Sequence, residues 1–255
     1  LERKNVFRVL GEEELETLIK SGVVPHTSMT ALRQKENEDG DIYKFKVRAN
    51  LHGFKQIMYK DFFNTFAAVA SGTAIRVVIA IAVADKARIH HIDVVGAYLN
   101  SPIPVKQYMW APPGVRKDKK ECWELLRSLY GGKSAGYDWK LLFVNIILKF
   151  GMKAATIDET VFIIRHADGS RYMIIVIFVD DTILVDNWPE ITAQFKTYLA
   201  GQLEIQDEGE FTWFLAVQYK YNKERDVMQA SQMAYVERLI KDFKFEDMKP
   251  ARTPM

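Results

Sequence analysis

The chain has 255 residues and a mass of 29.4 kDa, and 48% of its residues are hydrophobic, including 15 Phe and 5 Trp. This length and composition allow a large buried core, in one large domain or two small ones, and exclude a disordered or fibrous protein. The formal net charge of +2 is too small to indicate a nucleic-acid or membrane-surface partner from overall charge alone.

The cysteine content and the length of the apolar runs further limit the classes of protein to which the chain could belong. Cys122 is the single cysteine and the five histidines are scattered, so neither an internal disulfide nor a zinc cluster is expected. We expect a packed thiol in an intracellular, reducing setting. The longest uncharged apolar runs, residues 77–84 and 172–179, are far shorter than the roughly 20 residues of a membrane-spanning helix. No membrane partner is predicted.

The first patterned stretch in chain order is IYKFKVRANLHGFKQIMYK, residues 42–60, in which five cations and no acid alternate with aromatic side chains. On a strand, Lys44, Lys46 and Arg48 would lie on one face, where they could bind phosphates. A solvated strand face is the commoner meaning of such a pattern, and the cations alone identify no ligand.

The rest of the chain is patterned as mixed helix and strand. The predicted elements are a buried helix or strand at 74–85, a strand at 88–95, an irregular loop-rich stretch around Pro102, Pro104, Pro112 and Pro113, a helix at 139–150 ended by Gly151, strands at 160–165 and 172–179 joined around Asp168-Gly169, a helix capped by Asn187 with Glu190, a hairpin at 211–231 turning near Asn222, and a last helix carrying Val236, Leu239, Ile240 and Phe243. This order predicts an α+β fold with an antiparallel sheet backed by helices.

Three acids interrupt apolar strand sequence. Asp180 and Asp181 divide IVIFVDDTILV, and Asp93 lies within ARIHHIDVVGAYLN. The adjacent pair is compatible with a solvated hairpin turn, since Asp is a common turn residue. A lone carboxylate in an apolar strand is costly unless it is hydrogen-bonded or metal-bound. One strand acid opposite a two-acid hairpin suits Mg²⁺ and phosphoryl transfer.

The order of motifs resembles the reverse transcriptase of Ty1/copia-type retrotransposons. The matching stretches are YKFKVRANLHGFKQ, DFFNTFAAVASGTAIR, HIDVVGAYLNSPIPVKQYMWAPPGV, CWELLRSLYGGKSAGYDW, IFVDDTILV, FTWFLAVQY and MKPARTPM, which run from about residue 40 to the end. The resemblance implies a right-hand polymerase with fingers at 1–70 and 101–138, a palm of antiparallel sheet backed by helices at 71–100 and 139–225, and the start of a thumb or connection at 226–255. The family continues into an RNase H domain, which we expect to be absent from this chain.

The resemblance also implies roles for individual residues. Asp93, Asp180 and Asp181 would be the catalytic metal ligands for Mg²⁺, with Mn²⁺ possible, and the Val94 carbonyl would help to hold one ion. The implied nucleotide-binding residues are Lys46, Arg48, Tyr98 as the steric gate, and Ser134; the implied nucleic-acid-binding residues are Lys44, Lys55, Phe178 and Trp213. Without the resemblance, Tyr98 would be interpreted as a core aromatic. His90 and His91 point to opposite faces of their strand and are interpreted as structural or duplex-lining.

The implied reaction is template-directed DNA synthesis from deoxynucleoside triphosphates on a primed RNA or DNA template. The chain would be a segment of a Pol polyprotein beside integrase and RNase H, in cytoplasmic virus-like particles and/or the nucleus. Departures from the family pattern are Ser134 in place of a glutamine, within LYGGKSAG, and Ala68, His52 and Ala216. They leave open a degenerate or domesticated element that binds nucleic acid without polymerising. A third hypothesis, a small-molecule phosphotransferase, has no identified nucleotide pocket.

Overall fold

A computed structural model describes residues 1–36, 42–115, 121–222, 224 and 226–249. The helices among these residues are α1 (Glu12–Lys20), α2 (Gly72–Ala84), α3 (Ala135–Lys149), α4 (Pro189–Gln202) and α5 (Met233–Asp242). The strands are β1 (Phe7–Val9), β2 (Ser28–Glu36), β3 (Ile42–Leu51), β4 (Arg88–Val94), β5 (Pro102–Trp110), β6 (Cys122–Arg127), β7 (Lys153–Ala154), β8 (Val161–Arg165), β9 (Tyr172–Phe178), β10 (Asp181–Asp186), β11 (Ile205–Glu210), β12 (Trp213–Phe214), β13 (Val217–Asn222) and β14 (Val227–Ser231).

The largest sheet has six antiparallel strands in the order β11-β4-β10-β9-β8-β7. Residues 172–177 of β9 are buried at every position, because the sheet is covered on both faces. Side chains of α3 and α4, among them Phe143 and Phe195, form the core on one face. On the other face, Val78 of α2 and Phe214 of β12 pack against the sheet.

Two smaller sheets involve the N-terminal part of the chain. β2 and β3 form a long hairpin, and β1, β6 and β5 form a three-stranded sheet in the order β1-β6-β5. A third core lies at this sheet, where Phe7 stacks on Trp123 with ring centroids 3.7 Å apart. Leu51, the last residue of β3, is buried in the same core, so the hairpin is anchored to the three-stranded sheet.

The predicted antiparallel sheet backed by helices is confirmed. Residues 74–85, for which helix and strand were both open, form α2, and the Ser71 hydroxyl caps it by accepting from the Ala74 N–H at 3.0 Å. The strands predicted at 88–95, 160–165 and 172–179 match β4, β8 and β9 to within a residue. The helix predicted at 139–150 is α3, which begins one turn earlier. The hairpin that turns near Asn222 is β13–β14.

Two local predictions were wrong. The stretch interpreted as loop-rich contains β5, which begins at Pro102 and pairs with β6 through a register shift before Gln107. Proline is tolerated at a strand's first residue and on an edge strand, where its missing N–H breaks no ladder bond. Asn187 does not cap α4, which begins at Pro189. The Asn187 side chain instead accepts from the Tyr172 N–H at 2.7 Å.

Candidate active site

The three acids meet at one end of the six-stranded sheet. Val179 and Asp180 form the turn between β9 and β10, and Asp181 is the first residue of β10. Asp181 is directly opposite Asp93 on β4, and residues opposite each other in adjacent strands point to the same face. The Val94 N–H donates to the Asp180 carbonyl at 2.9 Å. Asp180 and Asp181 therefore lie at a hairpin turn, and the pairing of β4 with β10 brings Asp93 next to them.

The carboxylates at this turn repel one another. Burial raises the pKa of Asp93, and the negative charges of Asp180, Asp181 and Glu208 raise that pKa further. His91 opposes this shift, and its Nε2 lies 2.9 Å from Asp181 Oδ1. The contact was missed at the sequence level, although the alternation of β4 does place His91 on the face of Asp93.

The chemistry of the donor set fits a hard divalent cation. The carboxylates of Asp93, Asp180 and Asp181 are oxygen donors, which Mg²⁺ and Mn²⁺ prefer. Their mutual repulsion would be relieved by a bound cation. Within the described part of the chain, no three His, Cys, Asp or Glu side chains are already grouped in position to hold a metal ion. The acids lie on neighbouring backbone positions, and their side chains would have to turn toward a shared ion.

An open cleft of about 770 Å³ has Arg48, Tyr98, Tyr130 and Phe54 in its walls. The guanidinium of Arg48 lies 5.5 Å from the centroid of the Tyr130 ring, and the rings of Tyr130 and Tyr98 are 5.3 Å apart. Tyr98 reaches this position because the chain turns at Gly96, whose φ of 62° starts the short 3₁₀ helix Ala97–Asn100. Predicted residues from β3 and from the segment after β4 thus share one cleft.

The negative charges of the acids affect both tyrosines of the cleft. Burial raises the pKa of Tyr98, and the charge of Asp180 raises it further. The pKa of Tyr130 is also raised by burial, while Arg48 lowers it. A ligand in this cleft would therefore meet one cation and two phenol rings.

The wall that carries Tyr130 is held by a close backbone approach. The Leu51 N–H donates to the Tyr130 carbonyl at 2.8 Å. Gly53 and Gly131 permit this contact, because a Cβ on Gly131 would lie 2.2 Å from the Leu51 oxygen. The buried Gln56 side chain accepts from the Lys133 N–H at 2.7 Å. Sequence reasoning assigned no role to these residues.

The other predicted site residues are more dispersed. Ser134 is buried, and its hydroxyl donates to Asp138 Oδ2 at 2.9 Å, so its side chain is directed into the protein and does not line the cleft. Lys46 is half-buried on β3 and Lys44 is exposed on the same strand.

Of the predicted nucleic-acid contacts, Lys55 lies on the exposed Phe54 ring with its Nζ 5.9 Å from the centroid. Phe178 is half-buried and packs near Phe214, whereas Trp213 on β12 is exposed. The closing stretch MKPARTPM continues past the described residues, since residues 250–255 lie outside them.

Comparison with known proteins identifies the class. Residues 21–255 match the reverse transcriptase (RNA-dependent DNA polymerase) family, and the chain belongs to this family. A retrovirus-related Pol polyprotein from transposon RE1 of Arabidopsis thaliana is 29% identical over 225 residues, or 87% of this chain and 15% of the relative. The corresponding polyprotein from transposon TNT 1-94 of Nicotiana tabacum is 25% identical over 264 residues, or 99% of this chain and 20% of the relative.

These relatives place the chain with the reverse transcriptase domains of copia-type retrotransposons. The chain spans only about 15–20% of the length of the polyproteins it matches. A putative transposon Ty5-1 protein of Saccharomyces cerevisiae is 25% identical over 166 residues, or 64% of this chain. In the part of the chain that the structure describes, no helix is both long enough and apolar enough to cross a bilayer.

Proposed function

We propose that this domain extends a primer along an RNA or DNA template, using deoxynucleoside triphosphates and divalent metal ions held by Asp93, Asp180 and Asp181. The observation that carries the proposal is the register that sets Asp93 opposite Asp181 beside the Asp180 turn. Family membership supports the reaction class. Intact acids at all three positions favour a polymerase over an element that only binds nucleic acid.

The donor set would hold Mg²⁺ or Mn²⁺, with the Val94 carbonyl as a further oxygen ligand. When bound, such ions lower the pKa of the primer 3′-hydroxyl and neutralise the developing charge on pyrophosphate. Asp93 on β4, and Asp180 and Asp181 at the turn into the adjacent β10, would orient the reacting groups. His91 holds the Asp181 carboxylate through its Nε2 contact. Catalysis of this kind depends on positioning and electrostatics and needs no side-chain nucleophile.

The cleft that contains Arg48 and Tyr98 is assigned to the incoming nucleotide. Arg48 supplies a positive charge for the triphosphate, with Lys46 behind it on the same strand face. Tyr98 supplies a ring wall of the cleft, where it would exclude a 2′-hydroxyl. Ser134 is buried and bonded to Asp138 in the first turn of α3, so we assign it to the start of that helix and not to the nucleotide.

We assign the right-hand polymerase parts on the same basis. Residues 1–70 and 101–138, with the β2–β3 hairpin and the β1-β6-β5 sheet, would be the fingers. Residues 71–100 and 139–225, with the six-stranded sheet, would be the palm. The segment from residue 226 onward, which includes the exposed helix α5, would start the thumb or connection.

Three largely exposed rings between residues 54 and 66 suit the nucleic acid. Phe54, Tyr59 and Phe66 are 73%, 74% and 72% exposed. Lys55 lies over one of these rings and Lys140 over another, at 5.9 and 5.8 Å. Exposed rings interleaved with cations are a surface on which unpaired bases stack. Lys44, Phe178 and Trp213 are the remaining proposed nucleic-acid contacts.

A primer-extension assay with Asp180→Asn tests the proposal. The substitution removes a charged metal ligand and barely changes side-chain volume, so we expect extension on both RNA and DNA templates to fall by about 100-fold or more. Binding of primer-template, followed by fluorescence anisotropy, is expected to change little. Near-wild-type extension by the variant would refute the assignment of the acids. A wild-type chain that binds primer-template but extends nothing would favour the domesticated-element hypothesis.

A further inference from the structure

The turn before Asp180 contains a residue in a strained backbone conformation, and a buried side chain forms a hydrogen bond with that residue. Val179, immediately before Asp180, has a φ of 55°. Left-handed backbone is unfavourable for an L-residue and is especially rare for a β-branched one. The Val179 carbonyl accepts a hydrogen bond from the Trp139 indole N–H at 2.7 Å. The bond holds the peptide that leads into Asp180.

Trp139 is a rigid donor. Its side chain is 2% exposed and stacks on Phe143 with ring centroids 4.9 Å apart and an interplanar angle of 16°. It belongs to the same core cluster as Ile92 and Val94 of β4. An indole in a packed core has few alternative rotamers, so its N–H is aimed in one direction. The turn is thereby fixed relative to β4, the strand that carries Asp93.

The helix that carries Trp139 is also tied to the cleft wall. The Lys133 N–H, just before α3, donates to the buried Gln56 side chain at 2.7 Å. In the first turn, Asp138 accepts from Ser128 and Ser134, both at 2.9 Å. Helix α3 therefore connects the segment that bears the cleft wall with the turn that bears the acids.

We propose that Trp139 is a positioning residue for the polymerase reaction: its indole N–H keeps Val179 in the left-handed conformation. This holds the backbone of Asp180 and Asp181 beside Asp93, from where the three side chains can turn toward a shared metal ion. The inference rests on the proposed function for its catalytic consequence. Its structural consequence, the affinity of the acids for a divalent cation, can be measured without any turnover.

Trp139→Phe keeps an aromatic ring in the core and removes the donor. We expect kcat for primer extension to fall about 3- to 10-fold, the value of one lost hydrogen bond, with the KM for deoxynucleotides within about 2-fold of wild type. The dissociation constant of Mn²⁺ alone, followed by electron paramagnetic resonance, is expected to rise by a similar factor.

Trp123→Phe is the matched control. Trp123 is also buried, and its indole N–H donates at 2.7 Å to Glu121, away from the acids. The control loses the same atoms from a core but leaves the turn unchanged, so kcat and Mn²⁺ affinity should stay at wild-type values. Equal losses in the two variants would show that reduced packing is the cause, and would overturn the inference.

A double variant tests whether the Trp139 bond acts by holding Val179 in its left-handed conformation. Glycine adopts left-handed backbone without a Cβ penalty. In Val179→Gly protein, Trp139→Phe should therefore lower Mn²⁺ affinity less than about 2-fold. An undiminished effect in that background would overturn the inference.

Wild-type protein supplies a test that needs no variant at position 139 to fold. The Trp139 indole proton should exchange with solvent far more slowly than that of the exposed Trp213, measured by NMR on tryptophan-labelled protein. It should also broaden when Mn²⁺ is added. Rapid exchange, or no broadening in protein that binds Mn²⁺ through Asp180, would overturn the inference. Absence of primer extension with these signals intact would refute the proposed function and leave the positioning role supported.

Discussion

Gly131→Ala should disturb the cleft directly, because its new side chain would meet the backbone that holds the cleft wall. Gly131 has a φ of +84°, and a Cβ there would lie 2.2 Å from the Leu51 carbonyl oxygen. The new methyl group meets backbone atoms, so it cannot be accommodated by rotating a flexible side chain. The Leu51 and Tyr130 backbones, now joined by a 2.8 Å hydrogen bond, would have to move apart.

The expected loss of stability in Gly131→Ala has two contributions. Left-handed backbone costs an alanine about 1–2 kcal/mol, and overpacking against immovable atoms costs about 1–3 kcal/mol more. The free energy of unfolding should therefore fall by roughly 2–5 kcal/mol. Because Tyr130 carries the ring beneath Arg48, we also expect the KM for deoxynucleotides to rise about 3- to 10-fold through loss of one or two contacts.

Gly22→Ala is the control for this experiment. Gly22 has the same φ of +84°, but no atom lies within 4 Å of the place that a Cβ would occupy. It should lose only the conformational contribution of about 1–2 kcal/mol and keep the wild-type KM. Urea unfolding gives the stabilities and steady-state primer extension gives the KM. Equal losses for the two variants, or an unchanged KM in a destabilised Gly131→Ala protein, would refute the reasoning about the cleft wall.

Three further predictions concern single side chains. Tyr98→Ala should admit ribonucleotides and keep measurable deoxynucleotide incorporation; unchanged sugar discrimination in a folded variant would return Tyr98 to a purely packing role. Ser134→Gln should lower the free energy of unfolding by about 1–3 kcal/mol, because the larger side chain displaces the buried bond to Asp138, and a rise in kcat/KM without loss of stability would contradict this. Burial raises the pKa of Cys122 from 9 to about 11, so the unfolded chain loses this proton first and stability should fall between about pH 9 and pH 11. That part of the pH dependence should be missing from Cys122→Ala.

Local patterns in the sequence determined much of this fold. The apolar run of β9, the acids that follow it and the helix that became α3 were all recognisable, because strand and helix periodicity and turn chemistry are properties of neighbouring residues. The motif order indicated the family, and comparison confirmed it. The position of Asp180 at a hairpin turn likewise depends on neighbouring residues and could be predicted from them.

Tertiary structure alone decided how these pieces combine. The motifs grouped Asp93 with Asp180 and Asp181, but only the pairing of β4 with β10 showed that Asp93 lies directly opposite Asp181. No local pattern specifies which distant strand pairs or in which register. The same holds for the Trp139 bond to Val179, since a buried indole is ordinary until its partner is known. Ser134 was expected at the nucleotide but is turned inward to Asp138. Motif position gives a residue's place along the chain, whereas the direction of its side chain depends on the packing of elements that are far apart in sequence.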